Sequence, residues 1–417
     1  NEINQSVERN FDIPFTTGKI ITLVGPRRSG KSFLFFNLVK KLIAKGVEKK
    51  QIVYLNFEDE RLDFTVNGLD LILQAYRELY PDKKLDKCFF FFDEIQNIKG
   101  WEKFIRRVYD NYSKNVFVTG SNANLLSKEI ATALRGRTLS FEILPLSFKE
   151  YLKFNDLDFR KKDATTKAKI NKLFSNYLVQ GGFPELLHID DAFKTKILQE
   201  YFDVMIYRDL IQRYNFTNFS VVKYFLKRLA ANTCSYVSLN KIYNELRSQG
   251  YKLDKNLLYE VYEAAQSIYL SVSTKKFSYS TLKQENSDSK AYFIDNGLLN
   301  ALTFKFSKDY GHLLENLVYL ELRRRGNKIF YYKNGKECDF IVQKKDESPT
   351  AVQVCYNMQD IETKNREIKS LLYACEKLHL KNGIIITMDG QHDQKTVEGI
   401  SFKVIPVVKF LLEETEL

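Results

Sequence analysis

Over the first third of the chain, short apolar blocks alternate with amphipathic stretches. Five blocks read as strands, at residues 20–24, 52–57, 89–92, 116–119 and 139–143. Between them, residues 34–44, 68–79 and 101–111 repeat apolar positions at the spacing of one helix face. Strands alternating with helices predict βαβ units and a parallel sheet. The run Phe89-Phe90-Phe91-Phe92 is apolar at every position, as a strand covered on both faces requires.

Beyond the fifth strand the rhythm changes. Residues 146–214 read as helical, with a sharp break at Gly181-Gly182-Phe183-Pro184. Leu239, Ile242 and Leu246 then share a helix face behind a Ser238 cap, and Gly250 ends that helix. A second helix over 255–268 turns Leu258, Val261, Tyr262 and Ala265 inward. Residues 269–273 and 276–280 read as two short strands around a polar tip. Helix, turn, helix, hairpin is the winged-helix pattern, which sets its second helix in a DNA major groove or serves as a rigid interaction module. That second helix carries Glu260 and Glu263 and is not richly basic. Residues 281–290 are polar and predict a loop or linker, and 292–297 read as a strand ending in a turn. The last segment predicts a helix over 313–325, strands over 328–332 and 338–343 joined at Asn334-Gly335, a strand over 351–356, a helix over 361–378 and a strand over 383–387.

Chemistry enters where the first strand ends. Gly25-Pro26-Arg27-Arg28-Ser29-Gly30-Lys31-Ser32 spells G-x-x-x-x-G-K-S between that strand and an amphipathic helix. This setting makes the motif a phosphate cradle, with loop and helix N–H groups aimed at the anion. Lys31 is expected to reach the β- and γ-phosphates, and Ser32 to put its hydroxyl on Mg²⁺. The third strand ends in Asp93-Glu94, and ligand sites of parallel sheets lie at carboxyl ends of strands. Asp93 is the expected Mg²⁺ carboxylate and Glu94 the expected base for an attacking water. Ser121 and Asn122 end the fourth strand, where a polar side chain can sense the γ-phosphate or position water. Arg135 and Arg137 precede the fifth strand and are candidates for stabilising transferring phosphoryl charge, in cis or from a neighbouring copy.

In the C-terminal segment, Glu315 and Asp339 are candidate ligands of a nuclease-type Mg²⁺ site. Residues 316–345 hold eight Lys/Arg against three Asp/Glu, an electropositive setting for a phosphate backbone. The next strand reads Gln353-Val354-Cys355, so Gln353 offers a carbonyl and Cys355 offers no ammonium.

Composition changes this picture little. A length of 417 residues suggests two to four domains, and Phe 32 with Tyr 25 allows large cores. The net charge of +12 favours polyanionic partners modestly. Cys88, Cys234, Cys338, Cys355 and Cys375 are scattered without a C-x-x-C pair, and the four histidines lack metal spacing, so a reducing, cytoplasmic setting is expected. No apolar run is long enough to span a membrane and no signal peptide is evident. The sequence opens on Asn1 rather than Met, so removal or non-numbering of a preceding segment is expected.

Taken together, these residues resemble a prokaryotic AAA-type (STAND-like) P-loop ATPase family with a winged helix and a C-terminal PD-(D/E)XK nuclease-like domain. The resemblance spans essentially the whole chain. It rests on residues 25–32, Asn56-Phe57-Glu58-Asp59, Phe92-Asp93-Glu94-Ile95-Gln96, Gly100-Trp101-Glu102, Thr119-Gly120-Ser121, Leu134-Arg135-Gly136-Arg137, Gly181-Gly182-Phe183-Pro184-Glu185, Tyr207-Arg208-Asp209, Glu315-Asn316, Glu337-Cys338-Asp339-Phe340 and Val352-Gln353-Val354. It implies an α/β multidomain fold: a P-loop domain over 1–150, a helical region over 151–234, a winged helix over 235–290 and a nuclease-like domain over 291–417. It implies ATP with Mg²⁺ at Lys31, Ser32, Asp93 and Glu94, and nuclease positions at Glu315, Asp339, Gln353 and Cys355. The family's fuller members carry Glu and Lys at the last two, so the resemblance points to a degenerate nuclease site. The resulting expectation is an ATP-dependent switch that binds DNA, in part through Arg323, Arg324 and Arg325. The alternatives are an ATP-regulated nuclease with Lys333 or Lys336 as a migrated lysine, and a regulatory ATPase that binds protein partners or a second copy of itself.

Overall fold

The computed structural model describes residues 8–9, 11–62, 66–123, 132–303, 310–345, 347–388, 390 and 392–413. It divides into two units, Asn1–Pro145 with Ser267–Tyr269, and Leu146–Gln266 with Leu270–Leu417.

The first unit is built on five strands: β1 (Ile20–Val24), β2 (Ile52–Asn56), β3 (Phe89–Asp93), β4 (Asn115–Gly120) and β5 (Thr138–Glu142). All pair in parallel, in the order β2-β3-β4-β1-β5. Both faces of β3 are used, as its unbroken apolar run requires. Phe91 stacks on Phe117 at 4.6 Å and meets Phe35 edge-on, while Phe92 meets Phe104 on the opposite face. Phe90, Phe91, Phe92 and Phe117 are fully buried, worth roughly 1.5–3 kcal/mol each against exposure. Helix α1 (Lys31–Ala44) lays Leu34, Phe35 and Leu38 on this core. It starts three residues before its apolar periodicity does, because Gly30 at φ 92° turns the chain straight into the helix. Helices α2 (Asp70–Leu79) and α3 (Trp101–Asn111) complete the βαβ pattern. β2, β3 and β4 end at Asn56, Asp93 and Gly120, so their carboxyl ends share the edge of the sheet where the loop after β1 begins.

The second unit opens with helices α4 (Phe148–Phe154), α5 (Ala164–Gln180) and α6 (Asp191–Val204), a π-helical segment Met205–Gln212, and α7 (Phe219–Ala231). Next come β6 (Ser235–Tyr236), α8 (Leu239–Ser248), α9 (Lys255–Ser267), β7 (Ser271–Lys275), α10 (Thr281–Glu285) and β8 (Ser289–Phe293). β6, β8 and β7 form an antiparallel three-stranded sheet in that order. Two expectations fail here. Residues 276–280 are not the second hairpin strand; Phe277 donates its N–H to Tyr331 O, and β8 pairs with β7 instead. Residues 281–290 are not a loop throughout, because Ser280 caps α10 and residues 289–290 begin β8. The strand expected over 292–297 is therefore this sheet's own β8, and the boundary expected between residues 290 and 291 falls inside it.

After α11 (Asn296–Leu302) and α12 (Tyr310–Arg324) comes a six-stranded mixed sheet. Its strands are β9 (Lys328–Asn334), β10 (Lys336–Gln343), β11 (Thr350–Cys355), β12 (Asn382–Thr387), β13 (Asp393–Val397) and β14 (Ile400–Pro406), ordered β13-β14-β12-β11-β10-β9. Helix α13 (Ile361–Lys377) covers one face through Leu371, Ala374 and Cys375, and α14 (Val407–Leu412) follows β14.

Candidate functional site

The loop between β1 and α1 is shaped by two glycines and anchored by one arginine. A Cβ on Gly25 would lie 2.0 Å from Ile143 O, so only glycine lets the loop pass the end of β5. Arg28 and Gly30 both take positive φ, at 61° and 92°. Arg9, buried, donates to Ser29 O at 2.7 Å and to Leu144 O at 3.0 Å, tying the loop to the chain after β5. Arg9 was not among the residues singled out from the sequence; no motif marks it. Ser29 is fully buried, and its hydroxyl has no hydrogen-bond partner among the described residues.

Lys31 is buried, at 3 % exposure. Its Nζ donates to Gly25 O at 3.1 Å and Pro26 O at 3.0 Å and lies 3.2 Å from Glu94 Oε1. Burial works against the Glu94 carboxylate, but Lys31, Gln96 and Arg27 together hold its pKa below the usual carboxylate value. Glu94 itself sits in the left-handed region at φ 50°. Its Oε2 accepts from Gln96 Nε2 and, at 3.2 Å, from the Ser121 N–H. Gln96 also donates to Ser121 Oγ at 3.2 Å. Asp93 is fully buried and accepts from Tyr54 OH at 2.8 Å and from Thr119 Oγ1, which in turn accepts the Glu94 N–H at 2.9 Å.

Lys31, Asp93, Glu94 and Ser121 are thus brought together, with buried Asn122 following Ser121 and Ser32 opening α1 beside Lys31. Pro26 is buried in the loop; Arg27 pairs with Glu58, and Arg28 is exposed. Tyr54, Thr119 and Gln96 orient the carboxylates without having been assigned roles. Thr119 and Gln96 lie inside quoted motifs, but their bonds depend on strand order that spacing alone does not reveal. The cradle, the orphaned Ser29 hydroxyl and the parked ammonium of Lys31 fit a triphosphate with Mg²⁺, which Lys31, Ser32 and Asp93 would hold.

Arg135 and Arg137 do not join this cluster within the chain. Ile20 N donates to Arg137 O at 2.7 Å, so both arginines lie at the opening of β1, whereas the loop follows its other end. The five residues of β5 separate the two edges by about 16 Å. Arg137 is held there by Asp110, with Nε 3.0 Å from Oδ1, and Arg135 is exposed at φ 52°.

The C-terminal carboxylates form a second cluster around a residue that sequence reasoning missed. Lys290, on β8, is almost fully buried and lies 3.1 Å from Glu315 Oε1 and 2.7 Å from Glu337 Oε1. Burial alone would lower its pKa, but Glu315, Asp339 and Glu337 outweigh it and raise it. Tyr292 OH donates to Glu315 at 3.0 Å and Tyr236 OH to Glu337 at 2.6 Å. Asp339 is pushed well above the usual carboxylate range by burial and by Glu315. Gln353 is not open to a metal: its Oε1 accepts the Asp339 N–H at 3.2 Å and its Nε2 donates to Glu367 at 2.6 Å. Cys355 is core, packed with Leu371 and Ala374. Lys333 and Lys336 are exposed over the rings of Tyr236 and Tyr373, so neither is the migrated lysine. With Gln353 spent and Asp339 Oδ2 accepting the Val354 N–H at 2.9 Å, the set does not fit the nuclease-type Mg²⁺ site expected at Glu315, Asp339 and Gln353. Two of the three arginines expected to grip DNA are engaged as well: Arg324 and Arg325 each pair with Glu321 at 2.9 Å, and Arg325 also donates to Glu413 O.

Comparison with known proteins divides the chain in three. Residues 17–152 match an AAA domain, 171–309 a domain of unknown function (DUF8612) and 310–410 another (DUF4143). The chain is 38 % identical to the uncharacterized protein MJ1544 of Methanocaldococcus jannaschii over 97 % of its own length and 90 % of that protein's. It is 32 % identical to an uncharacterized protein of Haemophilus influenzae over 95 % of each. Among solved structures it is similar to the Walker-type ATPase PABY2304 of Pyrococcus abyssi, with TM-score 0.43 and 16 % identity over 68 % of this chain and 90 % of that one. No helix among the described residues is long and apolar enough to cross a membrane.

Proposed function

The chain belongs to the family that includes MJ1544 and its Haemophilus influenzae relative, and from that premise we propose that it is an ATP-hydrolysing AAA-type switch whose second unit contacts nucleic acid. The buried pair Lys31–Glu94, 3.2 Å apart, carries the reading. In this arrangement each neutralises the other. A bound triphosphate would draw Lys31 to its phosphates and free Glu94 to orient water. Magnesium would supply neutralisation of the phosphate charge, held by Ser32 and Asp93. Nucleotide occupancy and the state of Glu94 are thereby linked, which gives a switch its differential affinity.

Two variants test this. Lys31→Ala is expected to abolish ATP binding in calorimetry. Glu94→Gln is expected to keep binding and lower phosphate release by about 100-fold or more. Wild-type turnover in Glu94→Gln would refute the assignment.

In the second unit, α7, β6, α8, α9, β7 and β8 follow the order of a winged helix, and the three-stranded sheet supports that reading. Helix α9 exposes Lys255, Tyr259, Glu260 and Glu263, a face poorly suited to a groove lined by phosphates. The contact is therefore assigned to Lys328, Lys333, Lys336 and Lys345, all exposed on and beside β9 and β10. The helix–sheet order from α12 to β12 supports a PD-(D/E)XK-like domain whose Lys290-filled centre binds without cutting. Protein recognition by the mixed face of α9 is the second reading, favoured by exposed Tyr259 beside two glutamates.

A further inference from the structure

The turn between α7 and β6 and the first two turns of α12 bring three unlike ligands to one place. One ligand atom each from Cys234, His312 and Glu315 lies within 4.8 Å of the other two. We propose that Cys234, His312 and Glu315 form a binding site for a divalent late-transition cation of the zinc class, separate from the nucleotide's magnesium.

The chemistry of the set selects the cation. Thiolate and imidazole are ligands for Zn²⁺ and its neighbours, whereas Mg²⁺ takes oxygen. Three protein ligands leave a fourth tetrahedral position for water, the pattern of open zinc sites. Such a site holds its ligand atoms about 3.3–3.7 Å apart. From separations of no more than 4.8 Å, closing takes at most about 1.5 Å, within reach of side-chain torsions.

Each ligand is held in position. His312 and Glu315 stand three residues apart on α12 and so share a face of that helix. Cys234 is fixed at φ 61°, a left-handed conformation that is unfavourable for a non-glycine residue. Its N–H donates to Ala291 O at 2.8 Å, and its Sγ lies 3.4 Å from His312 O. Backbone strain at a residue with ligand chemistry is where function is sought. Glu315 is steered from behind by Lys290 and Tyr292; both contacts fall on Oε1, leaving Oε2 to the metal. Carboxylate ligands braced in this way are a regular feature of metal centres. His312 is only half-buried, which gives the cation a way in. On binding, the Cys234 thiol proton leaves to solvent, so affinity rises with pH.

The same cluster also accounts for the carboxylate that the nuclease-type set left over. Gln353 and Cys355 are committed elsewhere, and Glu315 turns from a hard-ion role to a mixed sulfur–nitrogen–oxygen set.

Metal-stripped full-length protein, free of nucleotide and magnesium, is titrated with Co²⁺. One equivalent is expected to bind with thiolate-to-cobalt charge-transfer absorption. Cys234→Ser should remove that absorption, and His312→Ala should weaken binding by about tenfold or more, with circular dichroism checking the fold. Should either variant fail to fold, X-ray absorption on the zinc-loaded wild type decides, with one sulfur expected among the nearest ligands. Absence of saturable Co²⁺ binding, a charge-transfer band that survives Cys234→Ser, or a purely nitrogen–oxygen shell around zinc overturns the proposal.

Discussion

Gly25 occupies a position where a methyl group has no room. Its substitution by Ala would drive a Cβ to 2.0 Å from Ile143 O, a backbone atom at the end of β5 that cannot swing aside. Either the loop or the strand end must shift, at a cost of about 1–3 kcal/mol. Because Gly25 O also accepts from Lys31, the shift reaches directly the ammonium proposed to bind phosphate. Gly25→Ala is therefore expected to weaken ATP binding by about tenfold or more in calorimetry while the chain stays folded. An unchanged dissociation constant would mean the loop tolerates the displacement. This site was legible because its residues are contiguous, so the spacing of Gly25, Gly30, Lys31 and Ser32 specifies the cradle without reference to the fold. The partners that orient it were not: Arg9, Tyr54 and Thr119 reach it from separate elements.

The break at Gly181-Gly182 shows the same division between local and distant information. Two glycines and a proline announce that α5 must stop, and it stops at Gln180. What they cannot announce is why. The Gly182 N–H donates to Asp295 Oδ2 at 2.7 Å, and a Cβ on Gly181 would lie 2.1 Å from the same carboxylate. Asp295 meanwhile caps α11 through the Leu298 N–H at 3.0 Å. Burial pushes its pKa up from 3.8 to about 6 despite these donors. Well below pH 3.8 the group is protonated whether folded or unfolded. As pH rises through 6, the folded chain must ionise a buried acid that the unfolded chain ionises freely, so stability falls across that window. The cost above it is about 3 kcal/mol. Thermal unfolding of wild type and Asp295→Asn between pH 4 and 7 tests this, since only wild type should lose stability through that group. Parallel curves would place its pKa at the ordinary value. Periodicity recovered β1–β5 and β9–β12 but not β13 or β14, and it misassigned residues 276–290. There the partner of β7 is set by pairing with β8 across a helix, and Phe277 pairs instead with Tyr331 of β9. Lys290 escaped notice for the same reason, because its carboxylates lie 25 and 47 residues away.

At the scale of the whole molecule, a net charge of +12 says only that polyanions are attracted, not where. Ion pairing narrows the choice. Arg324 and Arg325 share the single carboxylate of Glu321, which leaves one net positive charge, and Lys290 is buried between Glu315 and Glu337, so neither cluster makes a strong positive surface field. Lys328, Lys333, Lys336 and Lys345 are exposed, and neutralising them should remove most of the phosphate contacts if the second unit holds duplex DNA. Each phosphate contact contributes about 0.9 to the slope of log affinity against log salt. Replacing all four by Ala is expected to lower that slope by about three to four and to weaken binding almost equally for unrelated sequences. Fluorescence anisotropy over a salt series reads both quantities. A wild-type slope near zero would exclude a phosphate-held complex and favour the protein-binding face of α9. A steep slope left intact in the quadruple variant would move the contact elsewhere on the chain. Repeating the series with Lys31→Ala, in the presence of ATP, separates the two halves of the proposed switch. Nucleic-acid affinity that responds to ATP in wild type but not in this variant requires coupling through the phosphate loop, since Lys31 is buried and cannot touch DNA itself.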